Sequence, residues 1–361
     1  AAEYVLANLG SDDRFAVVDF SRYVRTFANE LRPASDAGDG LDYVRDLDAG
    51  GNTNISGALE TAVEFLDGER PATIVFLTDG LATVGIESAE GILELVERNA
   101  PERTQLFAFG VGYDVDTVLL DALAREFTGS SHYVTPDQRI DTEVARLWEM
   151  VSTPVLADIE ISIDGVDTFD LAPAGIPGIF AGSQALLAGR YEGEGEATVT
   201  VTGNSANGPE TFVYDVLFPE RDTDDPAVSQ LWAQRRVADL LTELRIEGVR
   251  DSLVEEIVEV ATRFGIVTPY TAYLAEEPDM DRFFAPEADE AMFDMAMEEA
   301  EALASAPASG QAAVQRAKSA GEMRATNEVE GNDVVTTKVV GSHSYYLVDG
   351  TWTRDDYEQD T

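Results

Sequence analysis

The residues best placed to do chemistry in this 361-residue chain are Thr78-Asp79-Gly80. The run 73–78 (TIVFLT) is continuously apolar, β-branched or aromatic, and reads as a strand buried on both faces that stops abruptly on Asp79-Gly80. A carboxylate at the C-terminal end of such a strand stands where open α/β sheets bind ligands. Asp-Gly is equally a turn dipeptide, so a purely structural reading of Asp79 stays open at this point. Upstream, Gly50-Gly51-Asn52-Thr53-Asn54-Ile55 forms a flexible loop opening onto a helix at 56–66. Its glycines permit close backbone approach, and either Thr53 or Asn54 has the side chain to cap that helix.

Other chemistries find little support. Gly110-Val111-Gly112 lacks the third glycine of a dinucleotide fingerprint, and Asp114 would meet a pyrophosphate with its own negative charge. The two histidines, His132 in a short strand and His343 in a hairpin, are expected at a sheet edge and at the surface. The absence of cysteine excludes a thiolate nucleophile, a disulfide framework and a cysteine zinc site. No Ser-His-Asp grouping stands out, so the chain is not expected to be an enzyme.

These residues must be positioned by the elements around them. An opening helix at 1–9 leads to a strand at 14–20 (RFAVVDF), with a short edge strand at 23–28 pairing back onto it. A short helix lies between Gly38 and Gly50. After the strand at 72–78, helices at 88–99, 116–127 and about 140–151 alternate with strands at 105–111 and 132–134, the pattern of a doubly wound, Rossmann-like α/β sheet. From Ser152 the period changes to two. Strands at 156–163, 185–191, 197–201 and 211–217 predict a small antiparallel β domain, a sandwich. Amphipathic helices at 226–244 and 252–264 follow, then an acidic, Met-rich helix at 292–303. Residues 304–327 are Ala-, Ser- and Gly-rich and suggest a mobile helix or linker. A C-terminal hairpin at 334–340 and 344–353 carries Tyr345, Tyr346 and Trp352, expected to build a small core. The predicted units are 1–152, 153–220, 221–278, 279–330 and 331–361.

Charge constrains the partners. There are 69 acidic residues against 24 basic ones, a net charge of −45, and Lys318 and Lys338 are the only lysines. Such a surface suits a halophilic protein in molar salt, where self-repulsion is screened. With no basic stripe to neutralise phosphates, nucleic acid is not an expected partner. The acidic run Asp222-Thr223-Asp224-Asp225 lacks the spacing of a calcium loop. No apolar run reaches the length of a membrane span. The chain opens in what reads as the middle of a helix, so a processed N-terminus is expected, with any signal peptide upstream of Ala1.

The order of strands and helices up to Val151, the strand ending in Thr78-Asp79-Gly80 and the Gly-Gly-x-Thr-x-Ile loop together resemble a von Willebrand factor type A domain. Phe180-Ala181-Gly182, Gly189-Arg190-Tyr191, Leu231-Trp232-Ala233 and Gly265-Ile266-Val267-Thr268-Pro269-Tyr270-Thr271 narrow the resemblance to the inter-alpha-trypsin inhibitor heavy chain-like proteins. The resemblance spans roughly residues 1–277. It implies a metal-ion-dependent adhesion site, in which one loop supplies Asp-x-Ser-x-Ser, a second a Thr and a third an Asp. Thr53 falls on the second position and Asp79 on the third. The ion would be Mg²⁺ or Mn²⁺, whose open position accepts a carboxylate from a partner protein. The Asp-x-Ser-x-Ser segment and its strand belong upstream of Ala1. With Thr53 and Asp79 alone, the chain is expected to bind metal weakly or not at all. Vertebrate heavy chains are esterified to glycosaminoglycan through Asp-Pro-His, but here Asp225-Pro226 is followed by Ala227.

The resulting expectation is a non-enzymatic adhesion or interaction module at the cell surface or outside the cell, cation-dependent in full-length form. The alternatives are an intracellular assembly or chaperone-like partner of an ATPase, and a metal-independent scaffold.

Overall fold

A computed structural model describes residues 2–101, 103–151, 154–173, 176, 178–180, 185–205, 208–220, 226–266, 268, 286–325, 337–340, 343–348 and 351–354. The N-terminal unit begins with α1 (Ala2–Ala7), β1 (Arg14–Phe15), β2 (Val18–Phe20), β3 (Val24–Thr26), β4 (Arg32–Pro33) and α2 (Ala37–Arg45). It continues through α3 (Ile55–Glu64), β5 (Ala72–Thr78), α4 (Ala89–Asn99), β6 (Thr104–Val111), α5 (Thr117–Glu126), β7 (Ser131–Val134) and α6 (Ile140–Val151). Strands β5, β6 and β7 form a parallel sheet in that order, with Ile74 opposite Leu106 and Phe109 opposite His132.

The period of two in these strands divides the core into layers. Phe76, Leu106 and Ala108 join Ile55 and Leu59 of α3, Ile92 of α4 and Leu119 of α5. Phe107 and Phe109 face the other way, onto Val144 of α6 and Val5 of α1, with Val75 and Leu77 packed alongside. Side-chain caps start the covering helices: Asn54 accepts from the N–H of Gly57, Ser88 from that of Gly91, and Asp116 from those of Val118 and Leu119.

Two expectations change here. The strand at 14–20 is split, β1 pairing with β4 and β2 with β3, so neither joins β5 laterally. In consequence β5 is only half-buried along most of its length, whereas β6, flanked on both sides, is buried almost throughout.

The β region comprises β8 (Pro154–Asp164), β9 (Asp167–Ala172), β10 (Ile179–Phe180), β11 (Ala188–Glu192), β12 (Gly195–Ser205) and β13 (Gly208–Phe218). These form a four-stranded antiparallel sheet, β10-β8-β12-β13, and a two-stranded ribbon, β11-β9. Ala172 of the ribbon shares a core with Trp232, Val237 and Val260 of the two following helices, α7 (Pro226–Glu247) and α8 (Asp251–Phe264). A further helix, α9 (Pro286–Ala304), packs Ala296 and Ala300 against Leu240, Leu253 and Ile257.

Of the two forms expected for residues 304–327, the described part takes the helical one. Helix α10 (Gln311–Ala325) buries Ala313, Val314, Ala317 and Ala320, and Val314 and Ala317 belong to the core of the N-terminal unit. Small side chains let this helix approach closely, which disguises it as low-complexity sequence. The C-terminal segment forms three antiparallel strands, β14 (Thr337–Val340), β15 (His343–Val348) and β16 (Thr351–Arg354). The expected aromatic core of Tyr345, Tyr346 and Trp352 lies outside the described side chains. So do the acidic run 222–225 and residues 181–182, 267 and 269–271 of the resemblance.

Candidate functional site

Asp79 leaves the end of β5 exposed to solvent. The Thr78 hydroxyl donates to the Gly80 carbonyl (3.0 Å) and accepts from the Gly80 N–H (3.3 Å), which fixes the turn that aims the neighbouring carboxylate outward. The loop before α3 approaches from the side. Asn54 is the cap of α3, leaving the Thr53 side chain uncommitted. Main-chain bonds tie Thr53 to the loop after β5: its N–H donates to the Thr83 hydroxyl (2.9 Å), and the Thr83 N–H donates to the Thr53 carbonyl (2.9 Å). A second tie runs from the Ile86 N–H to the Ser56 hydroxyl (3.0 Å). The loops abut so closely that a Cβ on Gly80 would stand 3.2 Å from the Thr53 hydroxyl oxygen.

The two sequence-predicted residues are thus brought together, on loops cross-braced by Thr83 and Ser56. Sequence reasoning missed these bracing residues, because they are 30 positions from their partners. The Gly50 prediction is met: a Cβ there would overlap the Ser21 side chain, and the Asn54 N–H donates to the Ser21 carbonyl (2.9 Å). Among the described residues, neither the Thr53 hydroxyl nor the Asp79 carboxylate has a hydrogen-bond or ion-pair partner.

Both residues are among those lining a cleft of about 880 Å³ that also takes in residues of β2 and β5. Val17, Val18, Ser21, Ile74, Val75 and Leu77 line it as well. Phe20 and Phe76 stack across it at 5.7 Å between ring centroids. Near the cleft Asp19 is fully engaged, accepting from the Tyr43 hydroxyl and from Arg25 Nε (2.9 Å) and Nη2 (2.7 Å). Burial, and then the bond to Asp19, push the Tyr43 phenol up to about 12. Tyr43 therefore stays neutral and serves as a donor.

The donor set can be tested against a divalent cation. One carboxylate and one hydroxyl are hard oxygen ligands of the right type, but Mg²⁺ demands six oxygens and gives up its waters reluctantly. Among the described residues no group of three or more His, Asp or Glu side chains is arranged to hold a metal. Thr53 and Asp79 alone do not fit the ion.

His132 and Asp121 are bound up in the packing of the unit. His132 stacks on Phe109 at 5.0 Å, with Ser130 Oγ 2.8 Å from Nε2, and burial holds its pKa below the ordinary value. It occupies the edge strand β7, as expected from the sequence. Asp121 is buried and saturated: Oδ1 accepts from Ser131 and Tyr133 (both 2.6 Å), and Oδ2 from Arg245 (2.9 Å). Arg245 also donates to Thr117 (2.7 Å), whose hydroxyl donates to the Ala308 carbonyl (2.8 Å). This network joins α5 and β7 to α7 and to the chain entering α10. Burial and the Asp121 charge drive the Tyr133 phenol well above its usual range.

A profile of the von Willebrand factor type A domain matches residues 1–81. Inter-alpha-trypsin inhibitor heavy chain H2 of Sus scrofa is 27% identical over 304 residues, covering 76% of this chain and 32% of that protein. The Homo sapiens H2 chain is 26% identical over 300 residues, with the same coverage. The chain thus spans about a third of the length of the curated relatives it matches. A von Willebrand factor type A protein from Catenulispora acidiphila superposes with a TM-score of 0.53 at 16% identity, over 73% of this chain and 74% of its own. The N-terminal unit has a von Willebrand factor type A-like α/β fold, and over three quarters of its length the chain is similar to the inter-alpha-trypsin inhibitor heavy chains.

Proposed function

We propose that the type A unit is a non-enzymatic protein-interaction module whose recognition end is the rim formed by Thr53 and Asp79. The observation that carries this reading is a carboxylate and a hydroxyl that have no partner among the described residues, held on two cross-braced loops at the C-terminal end of a parallel sheet. Bracing fixes the loops at no cost to the free groups, which is the preorganisation that recognition requires. A cation-bridged contact to a partner's acidic residue belongs to an assembly in which further oxygen donors join these two. This chain's own part is to present them. No helix among the described residues is long and apolar enough to cross a membrane.

The test uses immobilised chain and an Asp79→Ala variant exposed in parallel to proteins of the source organism in molar KCl. Interactors lost from the variant, at unchanged folded stability, support the reading. An identical set captured by both would overturn it.

A further inference from the structure

Strand β13 stands at the edge of the four-stranded sheet, paired with β12 over its full 11 residues without a bulge. Its outer edge is uncovered among the described residues, and among those residues it carries the largest concentration of exposed apolar side chains. Val213 is 60% exposed, Tyr214 55% and Leu217 70%, with Phe212 and Val216 near 40%. The register places Phe212, Tyr214 and Val216 on the same face as Val199 and Val201 of β12, continued by Ile161 and Ile163 of β8. In a chain where 26% of residues are charged, β13 has only Glu210 and Asp215.

Edge strands are normally protected by lysine, internal proline, a bulge or a covering segment. β13 has Pro209 beside its first residue and no other such device. A long, flat, apolar edge of this kind is a template for strand addition. We infer that it pairs with β13 of a second copy, antiparallel about a two-fold axis, joining the two sheets into one.

Self-complementarity of charge and the run of exposed apolar side chains favour this occupant. With Tyr214 of one copy opposite Tyr214 of the other, Asp215 faces Val213 and Glu210 faces Phe218, so no acid meets an acid. The register that sets Asp215 opposite Glu210 is disfavoured by like charge. The exposed parts of the five apolar side chains amount to roughly 400–500 Å² per copy, taking a large aromatic at about 150–250 Å². Strand pairing covers the flanks of these side chains on both faces, and the main-chain hydrogen bonds along the free edge add to that, which makes the pairing a modest, condition-dependent one. A net charge of −45 on each copy opposes association until salt screens it, with a Debye length of about 10 Å at 0.1 M falling to about 3 Å at 1 M. Pairing is therefore a high-salt property.

The test exploits the absence of cysteine. Tyr214→Cys places a thiol at the two-fold axis, while Thr198→Cys, on the adjacent strand, serves as the control. Under mild oxidation in about 3 M KCl, Tyr214→Cys is expected to give a disulfide-linked dimer and Thr198→Cys a monomer. The unmodified chain should double its sedimenting mass between about 0.1 M and 3 M KCl, and Tyr214→Lys, which sets a like charge opposite itself across the axis, with Leu217→Lys should abolish the doubling while circular dichroism is unchanged. A monomer at every salt concentration, equal cross-linking of both cysteine variants, or dimers that survive the lysine substitutions would overturn the inference.

Discussion

Asp121 and Asp79 belong to the same α/β unit, and their surroundings are opposite. Asp121 is 6% exposed, with both oxygens saturated by Ser131, Tyr133 and Arg245. Asp79 is exposed, and among the described residues its carboxylate has no partner. A buried, fully bonded charge fixes how elements meet, because removing one partner leaves the other desolvated and alone. A free carboxylate on braced loops contributes little to stability and remains available to something else. One aspartate fastens α7 and the approach to α10 onto the domain, and the other faces outward from it.

The contrast is broken most severely at Arg245. Arg245→Ala strands Asp121 in the interior and should cost about 3–5 kcal/mol in chemical denaturation measured at molar salt. Removal of the cap by Asn54→Ala should cost about 1 kcal/mol. It should also loosen the Thr53 loop, read as faster amide exchange at Thr53 and Thr83. His132 adds a pH dependence of known sign. Burial depresses its folded pKa, so the unfolded chain binds the proton more readily once pH falls below about 6.5. Stability is therefore complete above that pH and declines as pH falls through it toward the folded pKa. His132→Phe, which keeps the stack on Phe109, should flatten the decline between about pH 7.5 and 5.5. The smallest effect is expected at the rim itself, where Asp79→Ala should change stability by no more than about 0.5 kcal/mol.

Much of this arrangement was legible in the sequence. The strand at 72–78 and the helices near 88–99, 116–127 and 140–151 fall where periodicity and caps place them, because a sheet covered on both faces writes its layers into every second residue. Asp79 followed from its position at a strand end, and Thr53 from the resemblance. Three features were hidden for physical reasons. The loop braces through Thr83 and Ser56 are long-range hydrogen bonds with no local pattern. Helix α10 buries alanines rather than large side chains, so its packing face carries no hydrophobic stripe. The alternation at 211–217 predicts a half-buried strand, yet that pattern cannot say whether anything covers the face; in the structure Val213, Tyr214 and Leu217 stand exposed.

As proposed, Thr53 and Asp79 form an open pair, insufficient alone for a divalent ion. The most direct test is a Mn²⁺ titration followed by electron paramagnetic resonance in about 2 M KCl, where diffuse binding to the acidic surface is screened. The chain and its Asp79→Ala variant are titrated side by side. Superimposable curves with no saturable tight site are expected. One Mn²⁺ bound stoichiometrically by the chain and lost from the variant would contradict this expectation.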